Sequence, residues 1–108
     1  MASYLLIESR DPFESRDVSQ WCRLAQDLQQ AGNEVTVFLV QNAVLGARKA
    51  TSATDLSALA GGAVKVLADD FSLRERGIAA GELAAGIASA PLDVVVDRMA
   101  NGSRVLWH

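Results

Sequence analysis

Cys22 and His108 are the only cysteine and the only histidine in a chain of 108 residues. Both residue types can act as nucleophiles, bases or metal ligands. One cysteine forms no disulfide within the chain, and the two residues together fall short of the four-ligand sets of structural zinc sites. A Ser-His-Asp triad would have to use His108, the last residue of the sequence. The sequence therefore predicts neither a metal ion nor a cofactor, and carboxylates, hydroxyls and arginines remain as candidates.

Cys22 has two possible roles, as a reactive thiol or as a small buried apolar side chain. It lies beside Trp21 on the apolar face of a predicted helix whose polar face carries Arg23 and Gln26. A reactive cysteine needs a partly exposed, electropositive environment, whereas a cysteine on an apolar face behaves as a small hydrophobic residue. The pattern favours the buried role and leaves Cys22 as a catalytic alternative.

Asp69 and Asp70 form an acidic pair where a predicted strand ends and a predicted helix begins. One interpretation is a polar ligand site or a carboxylate-based catalytic centre, and another is a divalent cation held largely by water. A third is helix capping, in which a carboxylate accepts hydrogen bonds from free backbone amides and is favoured by the helix dipole. We expect capping, which is compatible with a ligand site at the same place.

The loop of residues 8–16 (ESRDPFESR) places serines, arginines and acids near the end of the first predicted strand. Arg10 can hold an anion through two parallel hydrogen bonds, although the compensating charges also suit a solvated loop. Arg74 and Arg76 suit either the steering of an anionic partner or an exposed helix face. The predicted ligand-binding residues are Ser9, Arg10, Asn42, Asp69, Asp70 and Phe71.

The sequence gives less support to a nucleotide ligand and to functional roles for Trp107 and His108. A nucleotide is the weakest candidate ligand, because the chain has neither a G-x-G-x-x-G motif nor a Walker A loop. Trp107 suits the core or a subunit interface. His108 is predicted to be a frayed, exposed imidazole, with a ligand or interface role as the alternative.

The composition limits the class of protein. Half of the residues are hydrophobic, and 13 acids against 10 bases give a net charge of −3. This predicts one folded domain over residues 1–108 without the basic field that attracts nucleic acid. The first residues lack the basic segment of a signal peptide, and the longest charge-poor apolar stretch is far shorter than the ~20 residues that span a bilayer. We therefore expect a cytoplasmic protein without a membrane or nucleic-acid partner.

Short apolar runs alternate with amphipathic segments, which is typical of a parallel sheet covered by helices. Strands are predicted at residues 4–8, 35–40, 63–68, 104–107 and, as the weakest, 87–90. Asp17 with Gln20 and Ser72 with Glu75 resemble helix-start capping boxes. Further helical segments are predicted at residues 43–49, 55–59, 81–85 and 91–101. Ligands bind such sheets beyond the carboxyl ends of the strands, where the candidate polar residues fall.

Three stretches resemble the DsrE/DsrF-like family of small sulfur-relay proteins. They are the first strand and helix leading into GNEVTVFLVQNAV at residues 32–44, VLADDFSLRERGI at residues 66–78, and DVVVDRMANGSRVLWH at residues 93–108. The resemblance covers nearly the whole chain. It implies a three-layer α/β/α sandwich with a mainly parallel sheet of about five strands. It also implies a homo-oligomer, a trimer or hexamer, or a hetero-oligomer with related subunits.

The resemblance also implies where sulfur would be carried. Active members hold it as a persulfide on a cysteine just after the third strand, eight residues before the glycine of an Arg-Gly pair. Counting back from Gly77 places Asp69 at that position. A carboxylate cannot hold a persulfide, because sulfur transfer needs a thiolate. The first hypothesis is therefore a non-catalytic subunit or small-ligand-binding member of a sulfur-relay-type oligomer. The alternative is a sulfur carrier or transferase that uses Cys22, or a carboxylate site at Asp69 and Asp70.

Overall fold

A computed structural model describes residues 2–49 and 55–108, which form one five-stranded sheet with helices on both faces. The spatial order of the strands is β4-β3-β2-β1-β5, and every neighbouring pair is parallel. The predicted three-layer α/β/α sandwich is thus confirmed, with a sheet that is parallel throughout. The strands are β1 (Ser3–Glu8), β2 (Glu34–Leu39), β3 (Lys65–Asp69), β4 (Ile87–Ala90) and β5 (Arg104–Trp107).

Four α-helices and two 3₁₀ helices connect the strands within the described residues. The α-helices are α1 (Asp17–Gln30), α2 (Asp55–Ala60), α3 (Asp70–Glu75) and α4 (Asp93–Ala100). The 3₁₀ helices span Gln41–Ala47 and Ala80–Glu82, where the sequence predicted helical segments at 43–49 and 81–85. The segment that is rich in valine is helical, as its spacing and Pro91 predicted.

The two predicted capping boxes do not form. Arg16 precedes α1 with helical backbone angles and makes no capping hydrogen bond through its side chain. Asp69 caps α3, and Ser72 lies inside that helix rather than at its start. In both places a different residue occupies the cap position. Helix boundaries lie within one or two residues of such local signals, and the residue spacing alone does not fix which residue becomes the cap.

The two faces of the sheet are covered unequally. Helices α1, α2 and α3 lie against one face and bury its larger core, which includes Leu6, Val37 and Val66. Of the described helices, α4 alone covers the other face, where Val94 and Val95 pack against a smaller core around Leu5 and Phe38. Strands buried on both faces explain the continuous apolar runs in the sequence.

Helix α4 is apolar on more than its inner side. The sequence places Leu92, Val95, Val96 and Met99 at helical spacing, yet only Val95 of these packs against the sheet. Leu92, Val96 and Met99 each expose more than half of their surface. In the part of the chain that the structure describes, the outer side of this apolar stripe is therefore exposed. Among the described residues, no helix is both long and apolar enough to cross a bilayer.

Candidate functional site

The carboxyl edge of the sheet carries a polar cleft of about 380 Å³ between the segments that follow β1 and β2. It brings together three of the predicted ligand residues, Ser9, Arg10 and Asn42. The remaining lining residues are Asp11, Glu14, Ser15 and Gln41. Hydroxyl, guanidinium, carboxylate and amide groups thus line one small space.

The loop that follows β1 is held in a defined conformation. The Asp11 carboxylate accepts a hydrogen bond from the Phe13 amide at 2.9 Å, and the Asp11 carbonyl accepts from the amides of Glu14 and Ser15. Pro12 packs against Gly46 in the first 3₁₀ helix so closely that a Cβ at Gly46 would lie 2.5 Å from Pro12 Cγ. The Asp-Pro turn predicted from the sequence therefore fixes one wall of the cleft.

Asp69 ends β3 and is 6% exposed. Its Oδ2 accepts hydrogen bonds from the Ser72 amide at 3.0 Å and from the Ser72 hydroxyl at 2.7 Å. This confirms that Asp69 acts as a helix cap. Its other oxygen, Oδ1, is buried and has no hydrogen-bond partner within the described part of the chain.

Ser72 connects this cap to the cleft. Its hydroxyl donates to Asp69 and accepts from the Gln41 amide at 2.8 Å, which fixes the turn after β2. Gln41 has φ of 51°, a left-handed conformation that is uncommon outside glycine. Asp69 therefore supports the wall of the cleft through Ser72 and does not itself line it.

The other predicted residues around α3 have unequal roles. Arg76 donates to Asn42 Oδ1 from Nε at 3.2 Å and from Nη2 at 2.9 Å, so its guanidinium holds a cleft residue in place. Arg74 lies 3.9 Å from Asp70 in an exposed ion pair. Phe71 is 57% exposed. Asp70 and Phe71 lie outside the cleft that Ser9, Arg10 and Asn42 share.

Cys22 is 4% exposed and faces the sheet from α1, within the larger core. Its burial agrees with the role of a small apolar side chain. A second cleft, of about 280 Å³, lies between α1 and Ala58 of α2 and borders Cys22 together with Gln20 and Arg23. Cys22 thus lies apart from Asp69, and the two catalytic candidates belong to different sites.

His108 is the residue that sequence reasoning placed wrongly. It is not a frayed imidazole: its side chain is 21% exposed, and Nδ1 lies 2.8 Å from both carboxylate oxygens of Glu8. Trp107, in contrast, is 66% exposed and not part of the core. The sequence did show an acid, Glu8, at the end of an apolar strand. It could not show that the partner of Glu8 is His108, which lies 100 positions away in the chain.

The described residues hold no group of three or more histidine, cysteine, aspartate or glutamate side chains arranged to bind a metal ion. The divalent-cation interpretation of Asp69 and Asp70 therefore has no third protein ligand of these types among the described residues. Asp69 is also committed to the α3 cap through Ser72.

The fold and the cleft define a small, single-sheet α/β protein with a polar site at the carboxyl ends of parallel strands. No protein-family model matches the sequence, and no curated protein does. Solved structures do match. The protein of unknown function MTH1491 from Methanobacterium thermoautotrophicum has a TM-score of 0.86 and 18% identity, with all of both chains covered. The YchN protein from E. coli has a TM-score of 0.83 and 20% identity, again over all of both chains. At these identities the likeness shows the fold alone.

Proposed function

We propose that the chain is a DsrE/DsrF-like protein that binds a small polar ligand at the carboxyl edge of its sheet and does not carry sulfur. The observation behind the proposal is Asp69. By the resemblance it stands at the sulfur-carrying position, and its carboxylate is bound to the amide and hydroxyl of Ser72. A carboxylate offers no thiolate for persulfide formation. Cys22 is buried and lies on another element, so it is poorly placed to take over.

The test is persulfide formation in the presence of a cysteine desulfurase and cysteine, followed by intact-protein mass spectrometry. We expect no added sulfur atom on the native chain. The informative control is Asp69→Cys, which restores a thiol at the end of β3. Sulfur on this variant but not on the native chain would show that the position is competent and that the native residue prevents the chemistry. Added sulfur on Cys22 of the native chain would contradict the proposal and favour the sulfur-carrier alternative.

Ligand binding is supported by the cleft lined by Ser9, Arg10 and Asn42. Its polar lining fits a small molecule that carries both hydrogen-bond donors and acceptors. Screening of small carboxylic acids, amino acids and sugars by ¹H–¹⁵N NMR should shift the amide signals of Ser9, Gln41 and Asn42. Asn42→Ala should remove those shifts, whereas Gln26→Ala, on the exposed face of α1, should leave them unchanged. Shifts confined to α1 would place binding elsewhere.

An oligomer is supported by the outer face of α4. Leu92, Val96 and Met99 are exposed there, and Trp107 is exposed on the same face of the sheet. Apolar surface that stays in contact with water is a typical contact site between subunits. Sedimentation velocity should show the native chain as an oligomer, and Val96→Lys should shift it toward the monomer. Gln26→Lys is the matched control, because it adds the same charge on the opposite face.

A further inference from the structure

A second buried acid, Glu8, ends β1 on the face of the sheet that α1 covers. Its side chain is fully buried. Burial raises the pKa of the Glu8 carboxyl, while the hydrogen bond and charge of His108 and the backbone amides of Ser9 and Arg10 act in the opposite direction. A buried carboxyl group requires partners, and here the main partner is itself titratable.

His108 is held in one orientation. Its amide donates to the Ile7 carbonyl at 2.8 Å, and its carbonyl accepts from the Ser9 amide at 3.0 Å and from the Ser9 hydroxyl at 2.9 Å. The imidazole stacks on the Trp21 ring at a centroid distance of 5.2 Å. With backbone and ring both fixed, Nδ1 points at Glu8, and Nε2 lies on the side of the partly exposed ring toward Asp17.

The contact with Glu8 determines which ring nitrogen carries the proton. When the Glu8 carboxylate is ionised it only accepts hydrogen bonds, so Nδ1 then carries the proton and Nε2 of the neutral ring keeps its lone pair. Asp17 Oδ2 lies 3.9 Å from Nε2, which is too far for a hydrogen bond. The Ser9 hydroxyl is bonded to the His108 carbonyl and is therefore not aimed at Nε2. Within the described residues the lone pair thus has no hydrogen-bond donor that the structure records.

We propose that Glu8 and His108 form a proton-transfer site for small neutral or cationic molecules, with His108 as the base and Glu8 as its positioning residue. In the transfer, the X–H bond of the bound molecule breaks, its electron pair remains on X, and the proton joins the Nε2 lone pair. The resulting imidazolium lies against the Glu8 carboxylate, which stabilises its charge. Asp17, at the start of α1, and Glu8 are acidic side chains beside the ring, and their negative charge when ionised disfavours anions.

The proton-transfer site adjoins the ligand cleft, because Ser9 lines that cleft and also donates to the His108 carbonyl. It uses β1, β5 and the start of α1, and it needs neither Arg10 nor Asn42. It is also independent of whether the chain carries sulfur.

Hydrolysis of p-nitrophenyl acetate, a neutral activated ester, tests the proposal with water as the proton donor. A positioned general base contributes roughly 100-fold or more to such a step, so we expect His108→Gln to lower the rate above background by about that factor. Glu8→Gln keeps the shape and can still accept from Nδ1, but it cannot stabilise the imidazolium. We therefore expect a lower rate and a pH–rate midpoint that moves to lower pH, which loss of a purely structural contact would not produce.

The preference for neutral and cationic molecules is tested by comparing two esters of different charge. An ester of the same leaving group that bears a carboxylate should react more slowly than p-nitrophenyl acetate. Asp17→Asn should narrow that difference, because it removes the Asp17 carboxylate beside the ring. An unchanged ratio would overturn the assignment of the substrate class.

Two results would overturn the proton-transfer site itself. One is equal ester hydrolysis by the native chain and by a folded His108→Gln variant, with folding checked by circular dichroism. The other is independent of any variant: ¹⁵N NMR of the native chain at pH 8 should find the imidazole proton on Nδ1. A proton on Nε2 would show that Glu8 does not direct the ring, even if the variants fail to fold.

Discussion

Two buried carboxylates end strands at the same edge of the sheet, with β2 between them, yet they are stabilised in different ways. Asp69, at the end of β3, is bound by the amide and hydroxyl of Ser72, neither of which titrates near neutral pH. Glu8, at the end of β1, is bound by the imidazole of His108, which can exchange a proton. The partners of Asp69 therefore serve the fold, whereas the partner of Glu8 is a group that can take up and release a proton.

The comparison shows that a candidate acid is judged by its partners more than by its position. The position of Asp69, between a strand and a helix, made it a candidate site residue. Its hydrogen bonds cap α3 and, through Ser72, fix the turn at Gln41. Glu8 has no distinguishing feature in the sequence, and its partner is the one histidine. Variants of both acids test whether this contrast holds in solution.

The largest effect on stability is expected at Asp69. Asp69→Ala removes the acceptor for the Ser72 amide and hydroxyl, and loss of a helix cap costs about 1–2 kcal/mol. Urea unfolding should report this decrease in the free energy of unfolding. Asp69→Asn keeps an acceptor oxygen and should cost less than the alanine variant. Equal losses in the two variants would show that the charge, rather than the hydrogen bonds, stabilises the cap.

A pH-dependent effect is expected at Glu8. Because burial raises the pKa of Glu8 in the folded state, its contribution to stability is present below the unfolded pKa of about 4.5 and is lost as the pH rises through the folded pKa. Glu8→Gln removes this dependence. The stability of the variant relative to the native chain should therefore increase as the pH rises above about 4.5, by about 1.4 kcal/mol for each unit by which the pKa is raised.

Thermal unfolding from pH 4 to pH 9 measures that difference directly. Asp69→Asn is the matched comparison, since it neutralises the other buried acid of the same edge. A difference between Glu8→Gln and the native chain that stays constant across this range would contradict the contrast between the two acids.

The smallest effect is expected at Arg76, which connects the Asp69 region to the cleft. Arg76→Gln removes the partly exposed hydrogen bonds to Asn42, and such contacts contribute about 0.5–1 kcal/mol. Because Asn42 lines the cleft, the variant should alter the NMR signals of the cleft amides more than it lowers the melting temperature. A large loss of stability with unchanged NMR signals of the cleft amides would show that Arg76 stabilises the fold and does not shape the cleft.

Local pattern was sufficient for much of the fold. Residues 87–90 and 104–107 are strands, as their apolar runs predicted, and α1 ends before Gly32, whose φ of 94° suits a helix stop. The cap at Asp69 could also be predicted from the sequence, since the carboxylate and the amide that donates to it are three positions apart. Such features depend on neighbours in the chain, so spacing and residue type report them.

The candidate site required more than local pattern. Residues of the cleft come from the segments after β1 and β2, and they meet only because those strands pair in parallel. The exposure of Val96 and Met99 could not be predicted from their apolar character, because it depends on how α4 lies on the sheet. For the same reason the sequence favoured Trp107 as a core or interface residue, and the structure leaves it exposed.

The sequence by itself determined the strands and helices, the class of the fold and the scarcity of cysteine and histidine. Only the tertiary structure decided which of the remaining polar groups meet. His108 pairs with Glu8 because β5 lies beside β1 in parallel register, with Trp107 next to Ile7. Strand order and register arise from long-range packing of the whole sheet, which local periodicity does not encode.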